Sequence, residues 1–257
     1  MRILVVNPFG GTEIFGRENL ERIARPDVEF DIVNISESYP LKNNQWLYFR
    51  YACTDGTIDR VLLAEKQGYD AVFISCNLDI GLYECRELVD IPVTATLESA
   101  ALMSYVISNG KFSLLSVDYQ NGQMQRMLLD TYGLSGKLAS IRPFCIDAND
   151  LYPDRTPPEK VVEQFVEIAQ KCVMEDGAEA LIPGCTLASS VLTKFLDDPV
   201  ETLGVPVIDG MVTGFKMAEM LADMHKAGVP TISRRGFFEK PPVDQFNLLR
   251  DFYRKPH

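Results

Sequence analysis

One pattern occurs twice in this chain, as GYDAVFISC at residues 68–76 and as GAEALIPGC at residues 177–185. The two copies align without a gap, and each contains a helix-ending glycine, an acidic residue, an apolar run typical of a buried strand, and a cysteine. Each copy continues into a helical segment and then a short strand, entered through Ile91-Pro92-Val93 or Val205-Pro206-Val207. This internal repeat predicts two similar half-molecules in which Cys76 and Cys185 occupy equivalent places.

Short β-branched runs alternate with longer helical patterns along the rest of the chain, which is typical of parallel sheets covered by helices on both faces. The predicted strands are Arg2–Asn7, Glu29–Ile35, Ala71–Ser75, Phe112–Val117, Leu138–Ile146, Ala180–Ile182 and Val205–Ile208. The predicted helices lie near Thr12–Ala24, Gly56–Gln67, Leu97–Ser108, Gln120–Tyr132, Pro158–Glu175, Leu187–Leu196 and Gly210–Lys226. This alternation predicts an α/β fold.

The repeat and the alternation together predict two similar lobes with parallel sheets, related by a pseudo-twofold axis, with the active site in the cleft between them. We assign residues 1–96 and 208–257 to the lobe that carries Cys76, and residues 97–207 to the lobe that carries Cys185. Ligands of open α/β sheets bind at the carboxyl ends of the strands, where both cysteines lie. We therefore expect the two thiols to converge on one cleft.

Three segments interrupt the alternation. Residues 36–55 carry five aromatic side chains, and they predict either an active-site lid or an extra helix packed by those aromatics. Residues 147–158 contain three prolines and predict a surface loop. After Gly228 the periodicity is lost, and four prolines predict an extended strap over the body.

The composition is that of a globular protein, with 257 residues of which 46% are hydrophobic and 24% charged. The 25 basic and 36 acidic residues give a net charge of -11, which repels nucleic acid and anionic membranes. No apolar run approaches the roughly 20 residues that span a bilayer, and the opening run is too short for a signal peptide. We expect a cytoplasmic protein, a homo-oligomer with a small-molecule substrate and no nucleic acid or membrane partner.

The six cysteines are expected to be free thiols, because a disulfide framework is unusual in an unsecreted chain of this length. No C-x-x-C pair occurs, and the two histidines, His225 and His257, do not have the spacing of a metal site. We predict no metal site.

The expected chemistry of Cys76 and Cys185 follows from their place at the end of a strand and the start of a helix. Free N–H groups and the helix dipole lower the pKa of a thiol there from its usual value of about 8.5. Inversion at a carbon requires a base on one face and an acid on the other. Two facing cysteines meet that requirement without a cofactor.

Further motifs follow in order along the chain. They are Asn7-Pro8, Asp79-x-Gly81-Leu82, Gly184-Cys185, the run from Gly204 to Gly210, and Ser233-Arg234-Arg235-Gly236 with Pro241-Pro242. In order and spacing these motifs resemble the hydantoin racemase family of the aspartate/glutamate racemase superfamily. The resemblance implies flavodoxin-like lobes and cofactor-independent racemisation, with Cys76 and Cys185 as acid and base.

Five residues are predicted to bind the substrate. Asn7 opens a loop of small residues whose N–H groups can receive a carboxylate or imide oxygen. Asn77 and Thr186 follow the two cysteines and resemble the Asn and Thr with which amino-acid racemases of the superfamily hold the substrate carboxylate and amine. By the same resemblance Ser116 and Tyr119 line the cleft and hold an enolate oxygen. Their alternative roles are a helix cap and a surface aromatic.

The sequence thus favours a racemase or epimerase of a 5-substituted hydantoin or a related amino-acid derivative. Amino-acid racemisation of the aspartate/glutamate type and cis-trans isomerisation of a maleate-like diacid remain alternatives, because each also uses two cysteines. An arylmalonate-type decarboxylase is disfavoured, because the resemblance implies a single cysteine in the sites of such enzymes, whereas this chain has two. The alternative outside enzymes is a two-lobed small-molecule binding module.

Overall fold

A computed structural model describes residues 1–9, 15–35, 46–108, 110–144, 146 and 150–253 of the chain. The start of the predicted helix near Thr12–Ala24, the first half of the segment 36–55 and the start of the loop 147–158 lie outside the described residues. The strands are β1 Arg2–Asn7, β2 Glu29–Asn34, β3 Ala71–Ile74, β4 Val93–Ala95, β5 Phe112–Ser116, β6 Leu138–Pro143 and β7 Ala180–Pro183. The helices are α1 Gly16–Ile23, α2 Leu47–Lys66, α3 Leu82–Leu88, α4 Thr96–Ile107, α5 Tyr119–Thr131, α6 Pro158–Met174, α7 Thr186–Phe195, α8 Pro199–Leu203, α9 Gly210–Lys226 and α10 Val243–Tyr253.

Two parallel sheets form the centre of the molecule, and they confirm the predicted α/β fold. The first has the strand order β2-β1-β3-β4, and the second has the order β6-β5-β7. The repeated pattern makes matching backbone hydrogen bonds in both sheets. The N–H of Val72 donates to Pro92 at 2.9 Å, and the N–H of Leu181, its counterpart in the repeat, donates to Pro206 at 3.0 Å. The pseudo-twofold axis itself stays a prediction.

The predicted strand Val205–Ile208 is wrong. Only Val207 joins the second sheet, through one isolated parallel bridge to Leu181. The physical reason lies in the partner strand, because Pro183 of β7 stands where β3 has Ile74 and has no N–H to donate to the next carbonyl of the segment. The matching segment of the first half, which also follows a proline, does form β4.

Neighbouring residues of each central strand face opposite layers of helices, as expected for a sheet covered on both sides. In β1, Val5 packs towards α1 and α9, and Val6 packs towards α2 and α3. In β5, Leu114 packs towards α4 and α5, and Leu115 packs towards α6 and α7. No helix in the described part of the chain is long and apolar enough to cross a bilayer.

The aromatic segment and the tail differ from expectation. The described part of the segment 36–55 forms the start of α2, but Trp46, Tyr48 and Tyr51 are exposed rather than packed. In the tail the predicted extended strap is wrong for Val243–Tyr253, which forms α10. This stretch contains no proline, and Pro242 before it accepts the N–H of Phe246 in the first helical bond.

The part of the tail before α10 packs on α3, the helix that follows the Cys76 loop. Arg234 donates to the backbone carbonyls of Arg86 and Glu87 at 2.9 and 3.0 Å, so it satisfies acceptors at the carboxyl end of α3. The rings of Phe237 and Phe238 meet Tyr83 edge to face, with centroids 5.4 and 5.6 Å away. The tail therefore stabilises α3, the helix that follows the loop of Cys76.

Candidate active site

Cys76 and Cys185 line the same cleft, which encloses about 590 Å³ of empty space including its open mouth. Cys76 follows β3, and Cys185 follows β7 directly before the first residue of α7. Because parallel strands end at one edge of each sheet, each half of the molecule brings its cysteine to this cleft. The expectation that both thiols face one cavity agrees with this placement.

The predicted binding residues divide into two groups. Asn7, Asn77 and Thr186 line the cleft beside the thiols. Ser116 and Tyr119 lie outside the lining. The hydroxyl of Ser116 donates to the Asp118 carbonyl at 2.8 Å, and the cap of α5 is Asp118, so Ser116 does not have its alternative role of helix cap. Tyr119 is 68% exposed, which matches its alternative role of surface aromatic.

Cys76 lies in an apolar environment and is 7% exposed, packed in a cluster with Leu78, Ile80, Met124 and Cys53. Burial raises the pKa of its thiol, because a thiolate loses its hydration there. The N–H of Leu78 approaches the sulfur at 3.4 Å and opposes this effect without cancelling it. The resting Cys76 is therefore a neutral thiol.

Cys185 occupies the N-terminal cap position of α7 and is partly exposed. Burial raises the pKa of its thiol as well, whereas the backbone N–H groups of Ala188 and Leu187 lower it by a smaller amount. The predicted net lowering of the thiol pKa by helix N–H groups is therefore wrong for both cysteines. Desolvation exceeds the effect of the N–H groups in this closed cleft.

Two buried asparagines present one unused donor and one unused acceptor in the cleft. Asn7 accepts the N–H of Phe9 through Oδ1 at 3.3 Å, and Asn77 donates through Nδ2 to the Pro183 carbonyl at 3.0 Å. These bonds set the orientation of each amide. Asn7 Nδ2 and Asn77 Oδ1 have no partner in the described part of the chain. A buried unpaired amide group is costly, so both atoms are suited to a ligand.

The described part of the cleft wall carries no charged side chain. Among the described residues that line it, none is Asp, Glu, Lys, Arg or His. A carboxylate ligand would therefore meet no cationic side chain there. Within the described ranges, no three His, Cys, Asp or Glu side chains come together in a way that could hold a metal ion.

Asn121 and Tyr152 are among the lining residues that sequence reasoning missed. Asn121 lies in the first turn of α5, where Asp118 accepts its backbone N–H and its side-chain Nδ2, both at 2.7 Å. The Asp-x-x-Asn spacing at a helix start was a usable signal for this pair. Tyr152 lies in the segment predicted as a surface loop, and its local sequence contains no signal for the cleft.

Each of the two parallel sheets brings one cysteine to a cleft whose described lining residues carry no charge, an arrangement suited to an isomerase that moves a proton between the faces of a carbon. The chain belongs to the Asp/Glu/Hydantoin racemase family, whose model matches residues 3–218. It is therefore a racemase, and the resemblance seen in the sequence is confirmed.

Individual relatives agree with this assignment. A hydantoin racemase of Pseudomonas sp. (strain NS671) is 32% identical over 228 residues, which cover 88% of each chain. The structure of allantoin racemase from Klebsiella pneumoniae superimposes with a TM-score of 0.80 at 24% identity, covering 94% of each chain. Glutamate racemase from Francisella tularensis superimposes with a TM-score of 0.62 at 16% identity, covering 90% of this chain and 84% of that one. These likenesses support the two-sheet α/β fold.

Proposed function

We propose that this protein racemises a 5-substituted hydantoin or a closely related neutral cyclic derivative of an amino acid, with Cys76 and Cys185 as the two bases. The observation that carries this proposal is the placement of both thiols on one cleft whose described lining residues are all uncharged. The hydantoin racemase relative at 32% identity supports the same substrate class.

In the proposed reaction one cysteine is a thiolate and the other a thiol. The thiolate removes the proton at C5, and the electron pair of the broken C–H bond moves into the adjacent carbonyl to form an enolate. The opposite thiol then donates its proton to the other face of C5, and its sulfur becomes the thiolate. The reverse reaction exchanges the two roles, so no cofactor or net proton transfer is required.

The unused polar atoms of the cleft match a ring with amide groups. Asn7 Nδ2 is available to donate to the carbonyl oxygen that becomes negative in the enolate, and Thr186 lines the same cleft. Asn77 Oδ1 is available to accept a ring N–H. A hydantoin offers both a carbonyl and an N–H next to the reacting carbon, so it satisfies both buried atoms.

The alternatives fit this cleft less well. A free amino acid or a maleate-like diacid carries at least one carboxylate, and the described wall contains no cation to pair with it. A binding module without catalysis would leave two thiols in equivalent positions without a role. The uncharged wall therefore favours the neutral hydantoin ring.

The test is proton exchange in D2O, followed by proton NMR for each enantiomer of a 5-substituted hydantoin, with aspartate and maleate as competing substrates. The wild type is expected to exchange the C5 proton of both enantiomers and to racemise each. Cys76→Ser and Cys185→Ser should each lose racemisation by several orders of magnitude, because the pair acts as a unit. Each should retain exchange of only one enantiomer, and the two variants should retain opposite ones.

Cys172→Ser is the matched control, because Cys172 is buried between α6 and the second sheet, beside the Ser140 hydroxyl, and does not line the cleft. It should racemise like the wild type. Near-normal racemisation by either Cys76→Ser or Cys185→Ser would refute the two-base mechanism. Turnover of maleate or aspartate without turnover of hydantoins would refute the substrate class.

We further propose that residues 1–96 and 208–257 form one lobe and 97–207 the other, and that the protein acts in the cytoplasm as a homo-oligomer. The helix α9 comes after the second sheet in the chain, yet it packs on β3 of the first sheet, and this packing supports the return of the chain to the first lobe.

The proposed homo-oligomer is supported by three apolar side chains that α4 exposes, those of Leu102, Val106 and Ile107, which are suited to contact with another copy. Sedimentation at increasing concentration tests assembly, and a monomer at all concentrations would contradict it.

A further inference from the structure

Asp79 closes the turn that carries Cys76. Its N–H donates to the Cys76 carbonyl at 2.9 Å, three residues earlier in the chain. Its own backbone is left-handed, with a φ of 43°, a conformation that few residues other than glycine adopt. The residue is 2% exposed. A strained backbone at a buried position persists only where its surroundings hold it in place.

The carboxylate of Asp79 provides that hold through three bonds. Oδ1 accepts the N–H of Leu97 at 2.8 Å, and Oδ2 accepts the N–H of Glu98 at 2.8 Å, so the side chain caps the start of α4. Oδ2 also accepts the hydroxyl of Tyr132, which ends α5, at 2.9 Å. The turn of Cys76 is thereby tied to two helices that pack on the second sheet.

We infer that Asp79 is a positioning residue for the racemisation, because its bonds to α4, to Tyr132 and to the Cys76 carbonyl fix the turn that carries the Cys76 thiol. This inference rests on the proposed function, in which Cys76 is one of the two bases. Nothing in the reaction requires Asp79 to contact the substrate, and the residue does not line the cleft.

The electrostatics of the turn agree with this role. Burial is the main reason that the pKa of Asp79 is raised to about 7, and Glu98 adds to it, whereas its three donors oppose the rise. Asp79 is thus an anion at alkaline pH, where its charge raises the pKa of Cys76. The titratable groups that face Asp79 are Cys76, Tyr83, Arg86, Glu98 and Tyr132. The groups that act on Cys76 besides Asp79 are Cys185 and Cys53.

The second thiol has a different carboxylate neighbour. Asp118, the N-terminal cap of α5, raises the pKa of Cys185. Removal of the Asp79 charge should therefore act on one base and leave the other unchanged. A general loss of stability would instead affect both bases equally.

The test compares Asp79→Asn with Asp209→Asn. Asp209 makes a similar set of bonds at the start of another helix, accepting the N–H groups of Met211 and Val212 and the Thr193 hydroxyl, but it is not among the groups that act on Cys76. Exchange of the C5 proton of each hydantoin enantiomer is measured in D2O against pH. Cys76→Ser first identifies which enantiomer depends on Cys76.

Asp79→Asn should lower the plateau rate of Cys76-dependent exchange at least tenfold with little change in KM. It should also move the alkaline rise of that exchange to lower pH by about one unit, because the neighbouring negative charge is gone. Exchange that depends on Cys185 should keep its pH profile. Asp209→Asn should keep both profiles, even if its melting temperature falls as far as that of Asp79→Asn.

A pH profile of Asp79→Asn that matches the wild type, or a shift of both profiles together, would overturn the inference. Tyr132→Phe covers the case in which Asp79→Asn does not fold, since it removes one donor and keeps the charge. It should lower the Cys76-dependent plateau by a smaller factor without moving the alkaline rise, and an unchanged plateau would overturn the inference. Loss of activity in Cys76→Ser together with a wild-type profile in Asp79→Asn would reject this role alone and leave the proposed function intact.

Discussion

Asn77 donates its side-chain N–H to the carbonyl of Pro183 at 3.0 Å, and this buried bond joins the two cysteine loops. Asn77 directly follows Cys76, and Pro183 ends β7 two residues before Cys185. The bond therefore ties the positions of the two thiols to each other. It also leaves Asn77 Oδ1 without a partner in the described part of the chain, at a residue that lines the same cleft as both cysteines.

Replacement of Asn77 by Ala should reduce both stability and activity. The Pro183 carbonyl loses its side-chain donor, which should lower the free energy of unfolding by about 1–3 kcal/mol. Because the spacing of the thiols is no longer set, kcat/KM for a hydantoin should fall at least tenfold. Urea unfolding and polarimetry measure the two effects.

Asn19→Ala is the control for Asn77→Ala, because Asn19 makes a similar buried bond to the Ser190 carbonyl at 3.1 Å outside the cleft. It should lose a comparable free energy of unfolding and keep its activity. Equal losses of activity in both variants would show that the Asn77 bond has no special effect on the site.

The pH dependence of racemisation should rise well into the alkaline range. Burial raises the pKa of both thiols above its ordinary value, so the thiolate is the minor form at neutral pH. The base must be deprotonated, and kcat/KM should therefore increase about tenfold per pH unit from pH 7 to about 9. The Cys76→Ser, Cys185→Ser double variant corrects for uncatalysed exchange. A plateau already present at pH 7 would contradict the raised pKa values.

Alkylation should distinguish the two thiols. Cys185 is partly exposed and has N–H groups of α7 near its sulfur, whereas Cys76 is buried in an apolar cluster. Iodoacetamide should therefore modify Cys185 before Cys76 and leave buried Cys85 and Cys172 intact, as read by peptide mass mapping. A bound hydantoin should slow the reaction. Faster labelling of Cys76 than of Cys185 would contradict this difference in environment.

Gly184 should tolerate no side chain. A Cβ at this position would lie 2.8 Å from the Leu115 carbonyl oxygen and 2.9 Å from the Ser116 Cα, so the backbone before Cys185 would have to shift. Gly184→Ala should lower kcat/KM at least tenfold and destabilise the fold by about 1–3 kcal/mol. Gly136→Ala, where a Cβ meets no atom within 4 Å, should leave both quantities unchanged. Wild-type activity in Gly184→Ala would show that the Cys185 loop can move freely.

Local sequence patterns predicted the strands whose formation depends mainly on their own residues. The repeat around Cys76 and Cys185 predicted β3 and β7, because a short buried strand needs a continuous apolar run and both copies have one. The same kind of pattern after Pro92 and Pro206 led to a strand in one half and a single bridge in the other. The difference depends on the partner strand, which local sequence does not contain.

The direction in which a side chain points was a second feature that the sequence did not predict. Ser116 and Tyr119 were correctly placed where a strand ends and a helix begins, yet neither lines the cleft. The α10 helix was missed because the surrounding prolines outweighed the short proline-free stretch between them. Tyr152 reaches the cleft from a segment without any periodic pattern.

The sequence by itself determined the α/β fold, the two equivalent cysteines and the family. These follow from the periodicity of apolar residues and from the spacing and order of motifs, all of which are contained in the order of residues along the chain. Only the tertiary structure decided that burial raises the pKa of both thiols, that the described lining of the cleft carries no charged side chain, and that Asp79 reaches Tyr132. Desolvation and charge depend on groups brought together from distant parts of the chain, and the sequence pattern around each cysteine does not contain them.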